Sequence, residues 1–425
     1  MKQETGNGIS NAIPPGLFEL FQTSVTGILL LDNGSADAAF EWMAGFGVDA
    51  EFKGNEDKEM FCKLEEFLSC SKNIFGHFTY ELKNCIEALT SQHSTGIEFP
   101  AAYFFTPVLF AKKTATALFV DSADRYLLDK FYGGLPPLEV KNDFSQVIAL
   151  QERTTKASYI SNVNTLLAHI HRGDIYEINY CIEFFAERVS IDPVAVFKKL
   201  NALCEAPFSV LYKHNDQWLI CASPERFLKK TGAKLISQPI KGTRPRGKND
   251  LEDQQLKEDL LSDPKERSEN VMIVDLVRND LSRSAKKGSV KVEELFGIHT
   301  FKNVHQMIST ISAELNATIH PVQAIKNAFP MGSMTGAPKI RAMQLTEDSE
   351  NRKRGLYSGA VGYFTPEMDF DFNVVIRSIQ YNASTGYLSL MVGSAITAKS
   401  DPEKEYAECL VKAKTLFQAL GIEIG

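Results

Sequence analysis

Phe370-Asp371-Phe372-Asn373-Val374-Val375-Ile376-Arg377-Ser378-Ile379-Gln380-Tyr381 leads through Asn382-Ala383-Ser384-Thr385-Gly386 into Tyr387-Leu388-Ser389-Leu390-Met391-Val392-Gly393-Ser394-Ala395. Two alternating runs joined by a short turn rich in Asn, Ser and Gly predict an antiparallel hairpin. Side chains alternate across a strand, so Phe370, Phe372, Val374 and Ile376 are expected on one face and Asp371, Asn373, Val375 and Arg377 on the other. Arg377 then shares the more polar face, where its planar fork suits a carboxylate. Gly393 on the partner strand leaves room for close approach of a ligand.

Working outward from the hairpin, strands and helices are intermixed over the rest of the chain. Residues 1–150 carry short strands such as Gly27 to Asp32 and Ala117 to Val120, an acidic helical stretch from Asp57 to Ser71, and no motif with assignable chemistry. Gly133-Gly134-Leu135-Pro136-Pro137 marks a turn and a boundary, so the chain is divided into a divergent N-terminal region, 1–150, packed on a core of 151–425. Helical periodicity resumes with Ile160, Val163, Leu166, Leu167 and Ile170. The chain has 425 residues, 44% hydrophobic and 23% charged, enough to bury a large core. Its net charge of −7 argues against nucleic acid as a partner. The longest apolar stretch, Ala101 to Ala111, stops at Lys112-Lys113, far short of a bilayer span. No export signal is legible, and seven cysteines without a Cys-x-x-Cys pair read as reduced packing residues of a cytoplasmic protein.

Three segments carry chemistry. Pro239-Ile240-Lys241-Gly242-Thr243-Arg244-Pro245-Arg246-Gly247 fixes one lysine between a φ-locked proline and a glycine, beside two arginines. A nucleophilic amine facing an anionic substrate fits that arrangement; a basic surface loop is the plain alternative. Asp263-Pro264 predicts a helix start, with Glu266 and Glu269 three apart on one face. Ser400-Asp401-Pro402-Glu403 reads as a capping box, followed by Glu405, Glu408 and Lys412 on one face and Tyr406, Leu410, Ala413 and Phe417 on the other. Two such carboxylate helices facing each other would offer Mg²⁺ the hard oxygen ligands it prefers. No His or Cys cluster suggests zinc.

Five ordered blocks then carry a resemblance: Pro239 to Arg246; Glu269-Asn270 with Asp275-Leu276-Val277-Arg278-Asn279-Asp280; Gly332-Ser333-Met334-Thr335-Gly336-Ala337-Pro338-Lys339; Gly359-Ala360-Val361-Gly362-Tyr363; and Ser400 to Tyr406. Over roughly residues 158–418, and not visibly through the N-terminal third, the chain resembles the chorismate-utilising enzymes. The resemblance implies an α+β fold of large antiparallel sheets packed as a sandwich with helices outside. Within that family, anthranilate synthases place alanine where this chain has Lys241, and isochorismate and salicylate synthases place a water-activating lysine where it has Glu177. The lysine at 241 is similar to the branch that makes 4-amino-4-deoxychorismate for para-aminobenzoate and folate synthesis.

By that resemblance Lys241 is the nucleophile that adds to C2 of chorismate, which requires a neutral amine, partly desolvated or close to another cation. Glu225 is the acid assisting departure of the C4 hydroxyl. Glu269 and Glu408 hold Mg²⁺, supported by Glu266 and Glu405, while Gly242, Thr243, Thr335, Tyr357, Arg377, Gly393 and Lys412 line the substrate site. Ammonia comes from a glutamine amidotransferase subunit in a heterodimer. Three positions depart from the family pattern: Gln306 where most members have histidine, with His305 one step earlier; Ala395 where many have glycine; and Glu177 where aminating relatives have glutamine, either guiding ammonium or filling the pocket. No tryptophan-binding motif is recognisable, so feedback inhibition is not expected. The rival readings are an anthranilate synthase component I and, more distantly, a chorismate-binding protein without turnover.

Overall fold

The computed structural model describes residues 2–4, 13–34, 38–57, 59–133 and 148–422. Most of the Gly133–Pro137 boundary motif lies outside them. The described strands form two antiparallel sheets. One runs, in spatial order, Lys2–Glu4, Leu118–Ser122, Leu109–Lys113, Trp42–Phe46, Thr26–Leu31, Phe208–His214, Gln217–Ser223, Ser378–Asn382, Tyr387–Thr397, Glu177–Ala186 and Gly336–Ala337, and Gln151–Glu152 also pairs with Glu177–Ala186. The other runs Ile240–Pro245, Val304–Glu314, Lys234–Gln238, Arg226–Thr231, Phe370–Asn373, Ala360–Phe364, Ile74–Phe78, Ala102–Thr106 and Ala50–Gly54, with Lys291–Thr300 also on Val304–Glu314.

Both faces of the central strands are buried, which explains why Ile28-Leu29-Leu30-Leu31 is apolar at every position rather than at every second one. Ile28 and Leu30 join Phe75, Tyr103, Tyr212, Leu219 and Val361 in a cluster between the sheets. Leu29 and Leu31 join the cluster on the outer face, to which the helices Pro15–Thr23, Lys156–Arg172, Pro193–Cys204 and Pro402–Ala419 contribute. The second sheet is covered outside by Met60–Leu68, Pro264–Ser282 and Pro321–Ala328. The result is the expected α+β sandwich with helices outside. In each sheet the strands from before residue 150 form one block and those from after it another, joined at one seam: Thr26–Leu31 bonds to Phe208–His214, and Ile74–Phe78 to Ala360–Phe364.

The hairpin forms as predicted between Ser378–Asn382 and Tyr387–Thr397, with Asn382 opposite Tyr387. Asn382 Oδ1 accepts the backbone N–H groups of Ser384 and Thr385, and Gly386 takes φ 67°, which a side chain would resist. Its first strand is not continuous, however. Phe370–Asn373 belongs to one sheet and Ser378–Asn382 to the other, so the chain crosses the sandwich at Val374–Arg377 and the expected facing of Arg377 by simple alternation fails. Arg377 sits at the end of that crossing with φ 52°. The apolar stretch from Ala101 divides in the same way, into Ala102–Thr106 of one sheet and Leu109–Lys113 of the other.

Candidate active site

The crossing at Val374–Arg377 helps to open a cavity of about 540 Å³ between the ends of both sheets and the two acidic helices. Each element reaches it for a local reason. Lys241 lies on Ile240–Pro245, an edge strand whose register slips between Ile240 and Thr243. Gly242 has φ 90°, and a Cβ there would lie 3.1 Å from a Glu266 oxygen, so the glycine serves both the turn and the close approach of the helix behind it. That helix, Pro264–Ser282, begins as predicted: Asp263 accepts the N–H groups of Lys265 and Glu266, with Pro264 in the first turn. In the helix Pro402–Ala419 the cap is Asp401, which accepts from Glu403 and Lys404, rather than Ser400. Ser400 instead accepts from Thr397 N–H, so the expected Ser–Glu capping box does not form.

Lys241, Glu225, Gly242, Thr243, Tyr357, Arg377, Gly393, Lys412, Glu266, Glu269, Glu405 and Glu408 all line the cavity. Thr335 does not: it is fully buried beside the wall and donates to the carbonyls of Met331 and Gly332. Gly393 clears space for neighbours rather than for a ligand alone, since a Cβ there would meet Asn179 Oδ1 and Cys181 Sγ, each at 2.6 Å. Arg377 donates to the Lys412 carbonyl at 3.1 Å, and Lys412 Nζ donates to the Gly393 carbonyl and pairs with Glu408 at 2.7 Å.

Burial pushes the Glu225 carboxyl up to about 7, against the opposing pull of the Lys241 ammonium. Lys241 is desolvated, one of the two conditions expected of it. Its ammonium is ion-paired to the buried Glu177 carboxylate. Burial would lower its pKa, but the charges of Glu177, Glu269 and Glu225 outweigh burial and raise it. Its neighbours are thus carboxylates that favour the charged amine, and among the described residues no cation beside it favours the neutral one. The sequence leaves Glu177 either to guide ammonium or to fill the pocket, and does not anticipate its pairing with Lys241. A contact between residues on opposite sheets leaves no local signal.

Glu269 is 6% exposed, and burial raises its carboxyl to about 7. Its Oε1 has no hydrogen-bond partner, only Lys265 Nζ at 3.8 Å. Lys265 also pairs with Glu405 at 3.3 Å, and Glu266 pairs with Arg244 at 3.3 Å. Among the described residues no three carboxylate, histidine or cysteine groups converge closely enough to enclose a metal by themselves. An orphaned buried carboxylate oxygen on a cavity with four further glutamates nevertheless fits a hard cation that keeps part of its water.

Strand alternation along Val304–Glu314 separates Gln306 from His305. Gln306 faces the cavity and its buried Oε1 is unpartnered, whereas His305 faces away, between Thr300 Oγ1 at 3.0 Å and Asp253 Oδ1 at 2.9 Å. Ala395 lines the cavity opposite Asn179 in the sheet register. A second group went unread in the sequence. Arg354, 2% exposed, donates to both oxygens of Glu350, to the carbonyls of Asn179 and Met334, and to Ser358, and thereby ties together two walls of the cavity.

Residues 29–418 match the family of chorismate binding enzymes, and the chain belongs to that family. The match takes in most of the N-terminal third, where the motifs gave no sign of it. An aminodeoxychorismate synthase of Streptomyces griseus is 41% identical over 270 residues, 63% of this chain and 37% of the relative, so the chain spans little more than a third of that longer protein. Aminodeoxychorismate synthase component 1 of Klebsiella aerogenes is 32% identical over 358 residues, 83% of this chain and 78% of the relative. The crystal structure of anthranilate synthase component I from Streptococcus pneumoniae TIGR4 superposes with a TM-score of 0.77 at 24% identity, covering 90% of this chain and 93% of that one, a likeness of fold.

Proposed function

We propose that the chain converts chorismate and ammonia to 4-amino-4-deoxychorismate. The observation that carries this reading is a buried primary amine, Lys241, on the same cavity as Glu225, a carboxyl raised to about 7 and so able to hold a proton near neutrality. The names of the two curated relatives point the same way. Lys241 Nζ, once neutral, forms a bond to C2 as both double bonds of the ring diene shift and the C4–O bond breaks; Glu225 gives its proton to the departing hydroxide, which leaves as water. Ammonia then bonds to C4, both double bonds shift back, and the C2–N bond breaks with its electron pair returning to Lys241.

Arg377 and Lys412 supply positive charge for the substrate's carboxylates, and Tyr357, Thr243 and Gly242 shape the wall. Glu269 and Glu408, with Glu266 and Glu405 behind them, would hold Mg²⁺, whose charge neutralises a ring carboxylate. The Klebsiella relative is numbered as component 1, which supports a separate amidotransferase subunit as the ammonia source. Among the described residues no helix is long and apolar enough to cross a membrane, and we place the reaction in the cytoplasm.

Mass spectrometry of the product formed from chorismate, Mg²⁺ and ammonium separates aminodeoxychorismate from anthranilate and from unreacted chorismate. Trapped wild-type enzyme should carry a chorismate-derived adduct at Lys241, and Lys241→Ala should lose both the adduct and the product. Alanine also recreates the anthranilate-type segment, so an aminated side product is an expected accompaniment. Equal rates of the same product in the variant, with no adduct on the parent, would turn the reading to direct attack by ammonia.

A further inference from the structure

Glu177 is the first residue of Glu177–Ala186, gripped on both sides by pairing with Thr397 and with Ala337. Gly336 permits this closeness, because a Cβ there would lie 2.1 Å from the Glu177 carbonyl oxygen. Lys241 stands on the edge of the other sheet, and the Glu177–Lys241 ion pair bridges the two, with side chains only 7% and 9% exposed. The other groups that face Lys241 are all acidic: Glu225 from the turn after Gln217–Ser223, Glu269 from Pro264–Ser282 and, more remotely, Glu408 from Pro402–Ala419. The nearby cations are engaged elsewhere, Lys265 with Glu405 and Lys412 with Glu408. A nucleophile held as an ammonium must shed a proton before it can attack, and Glu177 is the carboxylate hydrogen-bonded to it.

We infer that Glu177 is the proton acceptor that activates Lys241, a catalytic role resting on the amination reading above. The proton moves from Lys241 Nζ to Glu177, leaving a neutral amine beside a neutral carboxyl. The amine bonds to C2, the C4 oxygen leaves with the proton of Glu225, and ammonia displaces the lysine from C2 as a neutral amine, which takes its proton back from Glu177. Glu225 is reprotonated from water, so the balance is chorismate plus ammonium giving protonated product plus water. Because the first transfer occurs inside the pair, the attacking form has the same proton count as the resting form. Wild-type attack therefore needs no loss of a proton to solvent.

Glu177→Gln keeps the shape and removes the acceptor, so its amine must lose a proton to water. At neutral pH kcat/KM should fall by on the order of 10²- to 10⁴-fold, the usual contribution of a positioned acid or base. The ratio of wild-type to variant kcat/KM should shrink about tenfold for each pH unit of rise, up to the lysine's own titration. Glu177→Asp should restore a pH-independent ratio at reduced rate. In parallel, acetic anhydride labelling of Lys241 across pH, referenced to the exposed Lys286 and read by peptide mass spectrometry, should show half-labelling at lower pH in Glu177→Gln than in wild type. A ratio that stays constant with pH would make Glu177 a positioning residue and overturn the proposal, as would unchanged labelling. Failure of wild type to form aminodeoxychorismate would instead overturn the amination reading itself, while the labelling result reports on the ion pair regardless of product.

Discussion

Replacing Arg354 with methionine tests whether the walls of the cavity are held by a buried charge. The guanidinium makes two hydrogen bonds to Glu350, at 2.9 and 2.6 Å, and others to the Met334 carbonyl at 2.7 Å, the Asn179 carbonyl at 2.9 Å and Ser358 Oγ at 3.3 Å, over the face of Tyr80 at 4.5 Å. The pair's side chains are 1% and 4% exposed, so Arg354→Met strands a carboxylate that water cannot reach. Breaking a buried pair from one side destabilises by about 3–5 kcal/mol. Urea unfolding followed by the fluorescence of the buried Trp42 and Trp218 should register this loss. Adding Glu350→Gln removes the stranded charge while preserving an acceptor for the Cys181 N–H, and should return about 2 kcal/mol. A single variant within about 1 kcal/mol of wild type, or a double variant no better than the single, would refute the clamp. Because Asn179 and Met334 line the cavity, kcat/KM should fall in parallel.

Further outcomes follow from the same geometry. If Glu225 must deliver a proton, kcat/KM should decline as pH rises through about 7, and Glu225→Gln should abolish that limb together with most of the rate; a limb that survives the substitution would belong to another group. His77, fully buried against Tyr212 and the Pro100 carbonyl, is depressed to about 3, so the unfolded chain binds a proton the folded chain refuses. Stability should therefore fall as pH drops below the usual histidine value of 6.5, by about 1.4 kcal/mol per unit from this site, and His77→Gln should blunt the slope in acid-unfolding titrations. Glu269→Gln should weaken Mg²⁺-dependent turnover by on the order of 10- to 100-fold and shift the Mg²⁺ titration of thermal stability to higher concentration, an effect that unchanged metal dependence would rule out.

Local chemistry carried a good part of this architecture. Asn382 to Gly386 made its turn with the residues that read as a turn, and Asp263-Pro264 opened its helix because cap and proline act within one turn. Failures fell where the deciding partner is remote. Alternation along Phe370 to Ile379 is a property of an unbroken strand, and nothing in those residues announces that Val374–Arg377 leaves one sheet for the other. Ser400 and Asp401 are both good caps, and the choice between them was made by Ser400 turning back to Thr397. The ring of carboxylates about Lys241 draws on residues from three separate segments, so its charge state could not be read from Pro239 to Gly247. The motif supplied the amine, and the fold supplied its protonation.

The seam between early and late strands in each sheet also fixes an order of assembly. As the chain emerges during synthesis, Thr26–Leu31 must wait for Phe208–His214, and Ile74–Phe78 must wait longer still, for Ala360–Phe364. Until then apolar edges such as Ile74-Phe75 have no hydrogen-bonding neighbour on that side, the condition under which strands pair with the wrong chain. Closure of such distant contacts is slow. The second sheet can close only when nearly the whole chain has been made, so the cavity is among the last features to exist, and the nascent protein would depend on protection of its first strands for most of its synthesis.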